Sequence, residues 1–326
     1  MTRRLGLIIP WAIFLAACLG WTIYWNVMAR GAQGALEATL ANARARGAEI
    51  TLAQMRAEGF PLQLALDLGQ AHYASADRKL RAEAAHLVMH VDLTAPGHVM
   101  FEPRGAITLT RADKTQDIAG DVLLISLRYA DNALARASVE AQNLRIRDTN
   151  RNALDFAARS FVANARPDPR DPASSQAALL IADATLGAPA QGAEALGTNV
   201  QSIDAALVFE RAAALPNIEA WRQAGGVARI EGLRVHWGAI EAQASGRLAL
   251  DEARRVSGSL DMRAADAAAL LGALAQSPSL SRDARQSLAL AAVLTRGSLD
   301  LPLRAQDGAL YLGPARLRAL DPLYTP

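Results

Sequence analysis

The sequence predicts a mainly β protein with some α, an α+β fold: a membrane-spanning helix, then a long, curled antiparallel meander with a few covering helices. Three observations carry this. The first is one uncharged run from Leu5 to Ala29 near the N-terminus. The second is strict period-2 alternation in at least nine later segments, and the third is the scarcity of helical periodicity between them.

The run Leu5–Ala29 follows Arg3 and Arg4 and ends at Arg30. At about 1.5 Å per residue it reaches roughly 37 Å, enough for a hydrocarbon core of about 30 Å. Trp11 lies near one end and Trp21, Tyr24 and Trp25 near the other, the placement amphipathic aromatics take at the two interfaces. The arginine asymmetry places the N-terminus in the cytoplasm, so everything from about residue 31 onward is expected outside the inner membrane. Two rivals exist. A cleaved secretory signal needs a shorter apolar region. Leu15-Ala16-Ala17-Cys18 spells a lipobox-like stretch that would make Cys18 a lipidated terminus. The apolar run continues through Leu19, Trp21, Ile23, Tyr24 and Trp25, so the uncleaved anchor is the favoured reading. Cys18 is the single cysteine, which leaves the exported part without disulfides or thiol chemistry.

After the span, Gly31 to Ala48 is alanine-rich with Leu36 and Leu40 at i, i+4, predicting a short membrane-proximal helix. Gly59-Phe60-Pro61 reads as a turn with a buried aromatic. Alternation begins there: Leu62, Leu64, Leu66 and Leu68 share a face opposite Gln63 and Asp67. It returns in Leu87, Met89, Val91 and Leu93, and again in Leu123, Ile125, Leu127 and Tyr129. Further strands follow at Leu144/Ile146, Ile203–Phe209, Leu233–Trp237, Leu248/Leu250, Leu260/Met262 and Leu299–Leu303. Helices are predicted over Asn217–Gln223, Ala265–Ala275 and Ser281–Leu294, the last entered through Ser281 as N-cap. Three prolines between Arg166 and Pro172 predict an exposed loop, and Gly187–Gly197 a second loose connection.

The expected organisation is therefore a cytoplasmic tip and anchor over 1–30 and a membrane-proximal helix and lead-in over 31–58. An N-terminal β-rich half covers 59–165, a Pro-rich loop 166–176, and a C-terminal β-rich half with helices 177–326.

Composition excludes several classes. The 34 basic and 32 acidic residues balance, unlike the basic stripe of a nucleic-acid binder. With 51% hydrophobic and 20% charged residues the chain is not intrinsically disordered. No nucleophile elbow, phosphate-cradling glycine loop or calcium loop is present, so no enzyme activity and no cofactor is expected. His86 and His90 are the closest histidine pair, but Leu87 stands where a zinc protease carries its glutamate, and no metal site is assigned. On the strand reading both share the polar face with Asp92.

The anchor, the short helix, Gly59-Phe60-Pro61 before an alternating strand, and the ending Gly308-Ala309-Leu310-Tyr311-Leu312-Gly313-Pro314 with Leu323-Tyr324 resemble domain-of-unknown-function family 2125. That family consists of bacterial envelope proteins without assigned activity, and its motif residues Gly59, Phe60, Pro61, Gly313, Pro314, Leu323 and Tyr324 are read as structural. More loosely, Gly246 to Asp261 and the Ala/Leu helix after it resemble AsmA-like proteins, which implies a curled sheet with an apolar trough and a role in lipid movement or envelope homeostasis. The candidate lipid-facing residues are Leu62, Leu64, Leu66, Leu68, Leu87, Met89, Val91, Leu123, Ile125 and Leu127. The candidate partners are the inner membrane, a phospholipid or other lipid, and envelope proteins. The alternative is a structural or assembly factor acting through protein contacts, without ligand.

Overall fold

A computed structural model describes residues 2–111, 114–131, 133–189, 194–278, 280–295, 297–313 and 315–324. Strands make up 53% of the chain and helices 23%, the mainly β class with some α that the alternation predicts. The chain divides into two units, residues 1–119 with 123–134, and residues 120–122 with 135–326.

The first unit opens with α1 (Thr2–Ala45), one continuous helix. The separate membrane-proximal helix expected from residue 31 does not exist as such. Gly31 and Gly34 stand among alanines whose helix propensity carries the helix across them. Then follow β1 (Glu49–Leu52), β2 (Arg56–Glu58), β3 (Leu64–Ala74), β4 (Leu80–Val91), β5 (His98–Pro103), β6 (Ile107–Arg111), β7 (Lys114–Ala119) and β8 (Val122–Ala130). All pairings are antiparallel. One edge of β3 holds both β2 and β1, and the other pairs with β4. Strand β4 serves two neighbours in turn: Leu80–Ala84 pair with β6 and Leu87–Val91 with β5. Beyond these, β6 pairs with β7 and β5 with β8. Gly69, at φ +62°, forms the bulge where the β3–β4 register shifts.

The second unit carries β9 (Ala133–Asp148), β10 (Ala153–Asp168), β11 (Asp171–Leu186), β12 (Asn199–Phe209), α2 (Ile218–Gln223), β13 (Val227–Trp237), β14 (Ile240–Leu250) and β15 (Val256–Ala264). It ends with α3 (Ala267–Ala275), α4 (Arg282–Leu294), β16 (Leu299–Gln306), β17 (Ala309–Leu312) and β18 (Ala315–Ala319). From β9 to β18 each strand pairs with the next, an uninterrupted meander. The three helices sit where apolar periodicity placed them. Asn217, Asp266 and Ser281 cap them by accepting from Ala220, Ala269 and Ala284 backbone N–H groups.

The Pro-rich stretch 166–176 differs from the loop expected there. It is the tip of the β10–β11 hairpin, with Pro167 still paired to Ser175 and a register shift between Pro167 and Asp168. A bulge at a hairpin end tolerates the proline, because its missing N–H falls where the ladder is already irregular. The turn is tied down by Asp168 and Asp171, which accept from the backbone N–H groups of Arg170 and Ala173 at 2.9 and 3.1 Å. In the loose connection, residues 190–193 lie outside the described residues, and Glu194–Leu196 forms one 3-10 turn.

Candidate functional site

The apolar faces define the sites this chain offers. In the first unit cross-strand partners build two apolar rows, Leu64–Val91–Val99–Leu127 and Leu66–Met89–Phe101–Ile125. Helix α1 lies over the β3 and β4 end of these rows. Trp25 and Ala29 are buried there and Ala32 and Leu36 partly buried, at i, i+4, i+7 and i+11, one stripe of a helix.

This decides where the candidate lipid-facing residues stand. Leu64, Leu66, Leu68, Met89 and Val91 are packed in a core closed by α1. Leu123 is buried, while Leu87, Ile125 and Leu127 are half-buried. Leu62 precedes β3 instead of continuing its face and is 83% exposed. The leucine alternation therefore describes the floor under a helix, not an open trough. Trp25 and Ala29 are the residues sequence reasoning missed. Their signal is the same 25–29–32–36 stripe, hidden because residues up to 29 read as lipid-facing.

The polar atoms of the helix aromatics are also used by the sheet. Trp21 Nε1 donates to the Pro61 carbonyl at 2.7 Å, Trp25 Nε1 to the Gln63 carbonyl at 2.8 Å, and the Tyr24 hydroxyl to the Leu93 carbonyl at 2.6 Å. Two loops, 59–63 and 92–97, are thereby held at one level of α1. Gly59 needs its φ of +91°, and a Cβ there would lie 2.9 Å from the Gln63 carbonyl oxygen. Phe60 meets the Trp25 ring edge to face at 5.5 Å between centroids. It is nevertheless 52% exposed, so the buried aromatic expected in this turn is not found.

In the second unit α3 and α4 cover part of the sheet. Leu270, Leu271, Ala284 and Leu288 bury against Ile240, Ala264, Leu312 and Leu317. Toward β10–β13 the apolar rows continue through Phe161–Ile181–Ile203–Val235 and Ala163–Leu179–Ala205–Leu233. The cluster formed there contains strand side chains alone. Phe161, Leu179, Ile203, Leu207, Leu233 and Val235 remain half-buried. The opposite face is polar and self-paired: Arg234 reaches Asp204 at 2.6 Å, and Arg263 forks onto Asp300 at 2.7 and 2.9 Å. These groups line an open hollow of about 500 Å³ with Glu231, Gln243 and Asp261.

The C-terminal motif has a defined partner. Glu219 on α2 accepts from Arg222 at 2.6 Å, from the Tyr324 hydroxyl at 2.6 Å, from Gln223 at 2.9 Å and from Arg254 at 3.2 Å. The Arg222 bond first, then that of Tyr324, holds its carboxyl well below the usual carboxylate range. Arg254 also stacks over the Tyr324 ring, and the Leu323 N–H donates to the Arg254 carbonyl. Gly313, at φ +56°, turns β17 into β18; Pro314 lies outside the described residues.

Four histidines of the first unit each face a carboxylate. His90 lies 2.8 Å from Glu102 and His86 2.9 Å from Asp67, while His72 is 3.3 Å from Glu83. Asp92 neighbours His98 at 3.8 Å, so His86, His90 and Asp92 each have a different partner. Among the described residues no three metal-ligating side chains converge.

Residues 25–320 match the family model described as "Uncharacterized protein conserved in bacteria (DUF2125)", and the chain belongs to that family. The match begins at Trp25, the first residue of the core that α1 closes. No curated protein and no solved structure matches the chain. The helix Pro10–Ala45 is long and apolar enough to cross a membrane.

Proposed function

We propose that this is a non-enzymatic, single-pass protein of the bacterial inner membrane, its N-terminus cytoplasmic and both β units periplasmic, which accommodates acyl chains on an apolar sheet face. Retention of the helix from Trp25 onward is supported by Trp25 and Ala29: a leader cleaved at the end of the apolar run would take with it two residues buried in the core of the first unit. Orientation rests on Arg3 and Arg4 before the span against Arg30 after it.

The observation that carries the lipid reading is the strip Phe161, Leu179, Ile203, Leu207, Leu233 and Val235, all half-buried, of which Phe161, Leu179 and Ile203 pack in a cluster of strand side chains only. Acyl chains laid there gain about 0.8 kcal/mol per buried CH₂. This replaces the leucines of β3 and β4 as the lipid-facing set. A photo-crosslinking amino acid at Leu207 in the full-length protein, irradiated in cells, tests it. The reading predicts a lipid adduct at position 207 and none at Arg234 on the polar face. Equal, background-level yields at both positions would refute it.

The second reading, an assembly factor working through the polar face, has the open hollow beside Asp204 and Asp300 in its favour. Arg234 with Asp204 and Arg263 with Asp300 are already paired within the face, which lowers the potential left for a partner.

A further inference from the structure

We propose that the loop between β2 and β3 is a second membrane contact, with Phe60 and Leu62 inserted into the interfacial layer of the leaflet from which α1 emerges. This rests on the reading of α1 as a retained anchor and adds a docking surface to it.

Three observations place the loop. Its carbonyls at Pro61 and Gln63 accept from Trp21 and Trp25, and the neighbouring loop's Leu93 carbonyl accepts from Tyr24. These are the aromatics that end the uncharged run, the level at which a spanning helix leaves the hydrocarbon. Second, the loop exposes two large apolar side chains: Leu62 at 83%, and Phe60 at 52% even with one face of its ring against Trp25. Third, helix and strand run side by side. Trp25 sits at Gln63, and Arg44 donates to the Ile50 carbonyl, where β1 pairs with the far end of β3. From residue 25 to 44 the helix rises about 28 Å, and β3 covers a similar length, about 33 Å. The strand therefore stands roughly along the helix, with the 59–63 loop at the membrane end and the β3–β4 turn at Lys79 farthest away.

The occupant of this surface is the bilayer interface. The loop is continuous with the spanning helix, and its exposed groups are uncharged and apolar, with no anionic or cationic side chain between Gly59 and Leu66. Two such residues lying beside a helix hold the first unit at a fixed height and rotation, where a single helix alone leaves rotation free.

The test is site-directed spin labelling of the full chain in phosphatidylcholine/phosphatidylglycerol nanodiscs. Cys18→Ala supplies a cysteine-free background, and single labels go on at Leu62→Cys, Lys79→Cys and, near the middle of the uncharged run, Leu15→Cys. All three wild-type side chains are exposed. The readout is the ratio of accessibility to lipid-soluble oxygen over a water-soluble nickel complex. Position 62 is expected to exceed position 79 by at least about threefold, as for groups a few ångströms into the headgroup–acyl boundary. If 62 matches 79 while 15 reads deep, the anchor stands and the loop proposal is overturned. If position 15 itself reads as aqueous, the anchor reading fails and takes the proposal with it.

Discussion

The Trp25 indole donates to the Gln63 backbone carbonyl across 2.8 Å, so a residue of the apolar N-terminal helix supplies a hydrogen bond to the base of the first sheet. Its ring is buried among Leu64, Leu66 and Met89. Trp25→Phe keeps most of the ring and leaves that carbonyl without its partner. It is expected to cost about 1 kcal/mol, against about 3–5 kcal/mol for Trp25→Ala. Denaturant unfolding of the full chain in mild detergent measures both. Equal, negligible effects would mean that α1 does not belong to the core.

Two leucines that alternation alone treats alike separate sharply. Leu66 is fully buried under α1, while Leu62 points out of the loop. Leu66→Ala is expected to destabilise by about 2–5 kcal/mol, and Leu62→Ser to stay within about 0.5 kcal/mol. Thermal melts in detergent micelles resolve the two.

Gly59 holds φ +91° with no room for a Cβ beside the Gln63 carbonyl. Gly59→Ala is therefore expected to cost more than about 1 kcal/mol. Its readout besides stability is loss of the Phe60 contact with Trp25, visible as a change in near-ultraviolet circular dichroism.

The Glu219 cluster makes the second unit acid-sensitive. Arg222 and Tyr324 depress its folded-state pKa below the unfolded value of 4.5. A depressed carboxylate contributes stability that is complete above the unfolded value and is lost as pH falls through the folded one. Glu219→Gln should accordingly lower the melting temperature at pH 7, with the gap to wild type narrowing as the pH is taken below 4.5. Tyr324→Phe should reproduce part of the loss at pH 7. A gap independent of pH would show that the carboxylate charge plays no part.

The sequence made the strands legible because half-buried strands alternate visibly, and it made α4 legible through the cap at Ser281. It did not reveal what covers each face. Leu64 and Leu66 read the same under a helix, a lipid or a second sheet, since periodicity records burial and not the burying group. The stripe Trp25–Ala29–Ala32–Leu36 stayed hidden because lipid and protein core select the same apolar residues. Pro167 misled for another reason: a proline is a breaker in a regular ladder but not at a bulge beside a hairpin turn. Long-range partners such as Glu219 and Tyr324, 105 residues apart, carry no sequence signal in a single chain.

The central claim is that the apolar N-terminal helix is retained as part of the folded protein. The most direct measurement is peptide mapping of the N-terminal region of the protein isolated from bacterial membranes. The account predicts that the residues around Arg3 and Arg4 remain joined to the span and the β units. A mature N-terminus beyond Ala29, on a protein that remains folded, would contradict it.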